Sequence, residues 1–181
     1  MEDNTVGVTA FPIVSGAQVT AGGDTTAKHE PGTIMAYRSA TDQWSLVEYV
    51  QAGNNIIARY LAAVTNLATL KQYSVDLAGT GDRGGANFRG IALATIASQK
   101  FGFVAIGGYV EFAFVSETTA SGEYLTMSGS TAGQLTPDRA SVFNNGTQGN
   151  ASAFVVVAYS KAAYATTATA AGSIQLIGVW A

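Results

Sequence analysis

The apolar positions of this chain fall in short runs that end at Gly, Asn, Asp or Ser. The clearest run is Trp44 to Val50. There Trp44, Leu46, Glu48 and Val50 share one face, and Ser45, Val47 and Tyr49 share the other. That period of two predicts a β-strand. Ile34 to Tyr37 precedes it, across a polar turn at Ser39 to Asp42. Gly53, Asn54 and Asn55 make the next turn. Further strands are expected at Tyr73–Leu77, Phe88–Ile96, Glu123–Met127, Gly133–Leu135, Ser152–Ser160 and Ser173–Trp180. Phe101 to Val115 reads as a longer strand with a Gly-Gly break, and Glu111 between Val110 and Phe112 marks a wet face in its second half. Residues 56–70 fit two descriptions. Ile57, Leu61 and Val64 have helical spacing, and strands broken at Asn66 fit nearly as well. About ten strand candidates at sandwich-like spacing give an all-β class, a small β-barrel or sandwich with at most one short helix near 56–65.

The N-terminus differs from the rest. Residues 6–14 (VGVTAFPIV) are strand-like, but Pro12 cannot donate to a ladder, so an edge position or an arm is expected. Residues 15–33 hold four glycines and a proline and read as a loop or mobile linker. The expected organisation is an extended N-terminal arm and linker at 1–32 and one β-domain at 33–181. A single domain suits 181 residues.

Composition narrows the chemistry. Charged residues make up 12% of the chain, about half the usual share. Ala, Gly, Thr and Ser supply nearly half of it. With no Cys there is no disulfide framework and no thiol nucleophile. A net charge of −3 and a pI near 5.0 provide no basic footprint, so nucleic acid is not an expected partner. The N-terminus is acidic and lacks the pattern of a secretory signal. The uncharged stretch from Ala162 to Ala181 is too diluted by Thr, Ser and Gly for a membrane span. A soluble protein made in a cytoplasm, with no membrane partner, is expected.

The candidate motifs are weak. Residues 79–84 (GTGDRG) match G-x-G-x-x-G, but a strand-like FRGIALATI follows where a helix should open. No acid occurs between Asp82 and Glu111. His29 stands alone in the polar linker and reads as an exposed loop residue. Asp76 and Asp82 near Asn87 fit a metal site poorly. Asn145-Gly146-Thr147 and Asn150-Ala151-Ser152 are sequons in form, within a turn-like segment. No catalytic residue, cofactor or metal site is expected.

The aromatic residues carry more. Phe101, Phe103, Tyr109, Phe112 and Phe114 crowd one segment, and Tyr159, Tyr164 and Trp180 lie near the C-terminus. From Ala140 to Ala181 the only charge is Lys161. A solvent-facing surface carries more, so this region is expected to be largely buried, in the core or against other subunits. The expected interface residues are Val6, Val8, Phe11 and Ile13 in the arm, with Phe143, Tyr159, Tyr164 and Trp180.

From EYVQAG at 48–53 onward the chain resembles the capsid decoration, or cement, proteins of tailed bacteriophages. The resemblance continues through NNIIARYLAAVTN and FRGIALATIASQKFGFVAIGGYVEF. It includes SETTASGEYLTMSGSTAGQLTP, where Gly122-Glu123 precedes a strand, and ends at SIQLIGVW. It covers about residues 33–180 and leaves the arm outside. It implies a small barrel or sandwich that binds the outer capsid surface and stabilises the shell, as a trimer or dimer. It implies no catalytic residue, a virion location, and the major capsid protein as partner. A tail, fibre or baseplate subunit is the alternative. A carbohydrate-binding or hydrolytic β-domain is a third reading, which an aromatic platform with paired acids would support.

Overall fold

The computed structural model describes residues 11–64, 72–75, 88–128, 133–137, 158–164 and 171–177. These form one mixed sheet with a single one-turn helix. The strands are β1 (Ile13–Val14), β2 (Ile34–Arg38), β3 (Trp44–Ala52), β4 (Leu61–Val64), β5 (Gln72–Val75), β6 (Phe88–Ala92), β7 (Phe101–Phe114), β8 (Tyr124–Met127), β9 (Leu135–Pro137), β10 (Ala158–Ser160) and β11 (Ala171–Leu176); the helix α1 is Gly16–Val19. The spatial order is β1-β2-β3-β5-β4-β6-β7-β11-β10-β8-β9, and β3 also pairs with β7. The sheet is therefore not a barrel closed through all its strands; β1 ends the order on one side, and β9 on the other is held further by a parallel bridge from Leu135 to Val115, with Ser116 N–H donating to Leu135 O at 2.7 Å. Within it, the pairings β3–β5–β4–β6–β7 return to β3.

A recurring unit explains the middle of this order; three copies are described in full and a fourth as far as Tyr164. Each unit is a strand, a bend, a single ladder residue, a tight turn and a second strand. The first runs β3–Ile56–β4, the second β6–Ile96–β7, the third β7–Thr119–β8, and the fourth reaches from β10 to Tyr164. Units lock in pairs through reciprocal backbone bonds. Ile56 N–H donates to Ile96 O at 2.9 Å, and Ile96 N–H donates to Ile56 O at 2.8 Å. Arg59 N–H donates to Ala92 O at 2.7 Å, and Gln99 N–H donates to Ala52 O at 2.8 Å. Thr119 and Tyr164 repeat the first exchange at 3.0 and 2.8 Å, and Gly122 N–H reaches Ser160 O at 2.8 Å as Gln99 reaches Ala52. The turn places its second residue in the left-handed region each time: Arg59 (φ 73°), Gln99 (φ 62°) and Gly122 (φ 81°). Only Gly takes that conformation without a steric cost.

Residues 56–64 thus form a ladder contact, a turn and β4, not the short helix their spacing allowed. The partner loop supplies their hydrogen bonds and outweighs the weak helical pattern. The one helix lies instead at Gly16–Val19. Ser15 caps it, its Oγ accepting from Gln18 N–H at 3.4 Å while Gln18 Oε1 accepts from Ser15 N–H at 3.2 Å. Residues 15–29 are largely exposed, as a linker would be, but they are pinned to the sheet at a few points. Val14 and Val19 join Met35, Val47, Tyr49 and Phe103 in one buried cluster.

β7 belongs to two units at once, which accounts for its length. Seven of its positions face β3, from Phe101 opposite Gln51 to Gly108 opposite Ser45. Its second half faces β11. Two bulges bend it between these tasks. Ile106 is the extra residue opposite the Leu46–Val47 step, and Glu111–Phe112 oppose Ser173 alone.

β3 is buried on both faces, so the simple in-and-out reading of Trp44–Val50 holds only at its start, where Trp44 is exposed. Val50 and Ala52 meet Val104, Ile106, Ala92 and Ala62 between β3, β4, β6 and β7. A second cluster joins Ile91 and Ala105 to Val110, Leu125, Leu135, Ile174 and Leu176. In the C-terminal third, Ala158, Ser160, Ile174 and Leu176 are buried as expected, whereas Lys161 to Ala163 and Ile177 are exposed.

Among the described residues Glu48 is a charge inside this core, 2% exposed. Its Oε2 accepts from Arg89 Nε at 2.7 Å. Arg89 reaches it because β6 bulges there: Gly90 pairs with Ala62 and Phe88 with Ala63, leaving Arg89 as the extra residue. Removing one member of such a pair strands the other charge, at a cost of about 3 kcal/mol or more. Arg89→Met should therefore lower the urea-unfolding free energy by about 3 kcal/mol. Adding Glu48→Gln to that variant should recover part of the loss. A double variant no more stable than Arg89→Met would show that the pair's charge is not the cause.

Candidate functional site

Two surface features stand out among the described residues: the β1 edge, and a groove where α1, β2, the first turn and β7 meet. At the edge, β1 pairs in parallel with β2, and Pro12 O accepts from Ala36 N–H at 2.8 Å. Pro12 therefore stands at the edge position its missing N–H requires. Phe11 and Ile13 beside it are 46% and 71% exposed.

The other expected interface residues fall elsewhere. Tyr159 is half-buried in β10, opposite Tyr124 and Gln175, with Lys161 Nζ 6.0 Å from its ring centre. Tyr164 is held within the chain. Its ring occupies the space where a Cβ on Gly172 would sit, and its hydroxyl donates to Ser173 O at 2.5 Å. Val6, Val8, Phe143 and Trp180 lie outside the described residues, as do the loop at 79–84, Asp76, Asp82, Asn87 and both sequons. Among the described residues no group of three or more His, Asp or Glu side chains is placed to hold a metal ion.

His29 is not the exposed loop residue its surroundings in the sequence suggested. Its ring meets Tyr49 edge-on at 5.2 Å and lies 6.1 Å from Phe103, and its Nε2 is buried without a hydrogen-bond partner. Tyr49 in turn donates from its hydroxyl to Asp24 Oδ2 at 3.3 Å and accepts from Lys28 N–H at 3.1 Å. Asp24 also pairs with Lys28 at 2.6 Å. These contacts tie residues 24–29 to β3.

The groove encloses about 280 Å³. Apolar Val19, Leu93 and Phe112 and polar Tyr37, Arg59 and Glu111 line it. The β7 bulge places Glu111 and Phe112 at the surface, and Phe112 is 47% exposed. Arg59 sits on the first turn, anchored by its own N–H and by its carbonyl, which accepts from Phe114 N–H at 3.1 Å. Its guanidinium lies over the Phe112 ring at 4.9 Å, within cation–π range. Neither Arg59 nor Glu111 has an ion-pair partner among the described residues. Sequence reading singled out Phe112 for its aromatic neighbourhood and Glu111 as a wet position, but gave no sign of Arg59 or Tyr37 as their partners. The four come from three elements, β2, the first turn and β7, and only the bulge and the turn bring them together.

No protein-family model matches the sequence, and no curated protein does. A solved structure similar to this chain is the head fiber gp8.5 N base in bacteriophage phi29. It is 12% identical, with 72% of this chain and 92% of that one covered, at a TM-score of 0.44.

Two phenols link these packed regions to pH. Burial raises the Tyr37 pKa above its ordinary 10.0, and the Glu111 charge adds to the effect. Burial likewise raises Tyr49 above 10.0, with the neighbouring Asp24 adding to it and the Lys28 N–H opposing it. A raised folded-state pKa means that the folded chain holds these protons more tightly. Their contribution to stability is complete below about pH 10 and is lost as pH rises through the folded values. The urea midpoint should therefore fall above about pH 10, and less steeply for the Tyr37→Phe, Tyr49→Phe double variant. Equal alkaline slopes for the two proteins would refute this assignment.

Proposed function

We propose that the protein is a non-enzymatic structural protein of a tailed-phage particle, bound to the outer face of the capsid as a decoration or cement protein. The observation that carries this reading is the β1 edge. It is a two-residue parallel strand at the open end of the sheet, with Phe11 and Ile13 exposed beside it. An edge that no other described strand covers, with apolar side chains, suits addition of a neighbour's strand, in which backbone bonds give affinity and alternate side chains give specificity. The resemblance of residues 33–180 to decoration proteins supports the same conclusion. The composition agrees, since a surface poor in charge tolerates close protein contact. The major capsid protein is the proposed partner, with the chain itself a trimer or dimer.

Contacts on a shell need not be strong singly. Repetition over many copies makes modest contacts effective, provided that the geometry allows simultaneous engagement. The β1 edge is only two residues long, which blunts uncontrolled association, and β9 is tied on its outer side by Leu135 to Val115 and Ser116.

The test is co-sedimentation of the purified chain with capsids of its own phage from which it has been removed. Stoichiometric binding and a raised shell melting temperature are expected. Ile13→Asp should weaken binding about tenfold, because a charge then has to be desolvated at the edge. Absence of binding together with an unchanged shell would reject the reading. A copy number of a few per particle would instead indicate a tail, fibre or baseplate part.

A further inference from the structure

The groove between β2, the first turn and β7 has a composition that the interface reading leaves unused. Its polar groups form a balanced set. Arg59 supplies a cation with several donors, Glu111 a carboxylate acceptor, and Tyr37 a hydroxyl. One positive and one negative charge leave the groove neutral, so an anionic ligand meets Glu111 and a cationic one meets Arg59. Phe112, half-exposed, and Leu93 add an apolar wall. A ligand matching this set has an uncharged ring, hydroxyls around its rim that both donate and accept, and an apolar C–H face. At about 280 Å³ the groove is at the small end of ligand sites, which limits it to roughly one ring.

The way Arg59 is held points the same way. It occupies the left-handed turn position that Gly122 fills in the third unit and Gln99 in the second. The exposed Gln99 side chain turns back to the partner unit, its Nε2 donating to Gly53 O at 3.2 Å. The Arg59 guanidinium instead lies over Phe112 at the groove wall. The turn therefore keeps a costly side chain whose contact lies at the groove. The bulge that brings Phe112 to meet it is likewise a local departure from regular pairing, of a kind that re-aims side chains at binding sites.

We infer that this groove binds a single neutral sugar residue, with the ring's C–H face on Phe112 and its hydroxyls shared between Arg59, Glu111 and Tyr37. The site would give the particle a carbohydrate-recognising surface separate from the β1 edge.

The test uses saturation-transfer NMR on the whole chain. The probes are glucose, galactose, mannose and N-acetylglucosamine, with glucuronate and glucosamine as charged counterparts. At least one neutral sugar should receive saturation, with a dissociation constant of about 1–10 mM, and both charged sugars should bind less well. Phe112→Ala and Arg59→Gly should each weaken binding about tenfold or more. Arg59→Gly is chosen because the turn accepts Gly at the equivalent Gly122, so the variant should keep the wild-type unfolding midpoint. The inference is overturned if no neutral sugar receives saturation, if the charged sugars bind as well, or if both folded variants bind like the wild type.

Discussion

The reciprocal backbone exchange between paired loops is the constraint on which the rest of the molecule depends. Ile56 and Ile96 each give and accept one hydrogen bond, and both side chains are fully buried. Once that contact is set, the first strand of one unit must lie beside the second strand of the other. β3 then meets β7, and β4 meets β6. The same rule applied to Thr119 and Tyr164 brings β7 to β11 and β8 to β10. Two local contacts thus set four of the strand pairings. Backbone groups carry the exchange, so the side chains at the equivalent positions can diverge from Ile to Thr and Tyr.

That freedom explains how a sheet built from repeats carries unlike features. Arg89 uses a bulge to neutralise a carboxylate inside the core. Glu111 and Phe112 use a bulge to reach the surface. Both are single-residue insertions into a ladder, and what differs is the environment each side chain enters. The first satisfies a charge that would otherwise be costly to bury. The second leaves a charge and an aromatic ring where solvent reaches them.

Much of the sheet was legible because strand alternation is a local signal. The runs at 34–37, 44–50 and 101–115 correspond closely to β2, β3 and β7, and the polar turn at 39–42 joins the first two. The repeat was not legible. Its sequence trace at a spacing of forty is little more than Ala52 with Ala92 and Ile56 with Ile96, because backbone atoms define it. Residues 56–64 were ambiguous for the same reason, since the partner that decides their conformation is forty residues away. His29 read as exposed because its neighbours in sequence are polar, whereas its neighbours in space are Tyr49 and Phe103. The groove residues gave no joint signal, since Tyr37, Arg59 and Phe112 each pass as ordinary strand or turn residues until the bulge and turn converge.

The sharing of β7 has a mechanical consequence. The two pairs of units are connected in series through one covalent strand. Tension along β7 loads seven ladder positions against β3 and five against β11 lengthwise. Loaded in that direction the hydrogen bonds resist together, as in a lap joint. Load applied crosswise at β1 meets only two positions and opens them like a zip. The molecule is thus stiff along one axis and compliant at its β1 rim, where a contact can be exchanged without disturbing the centre.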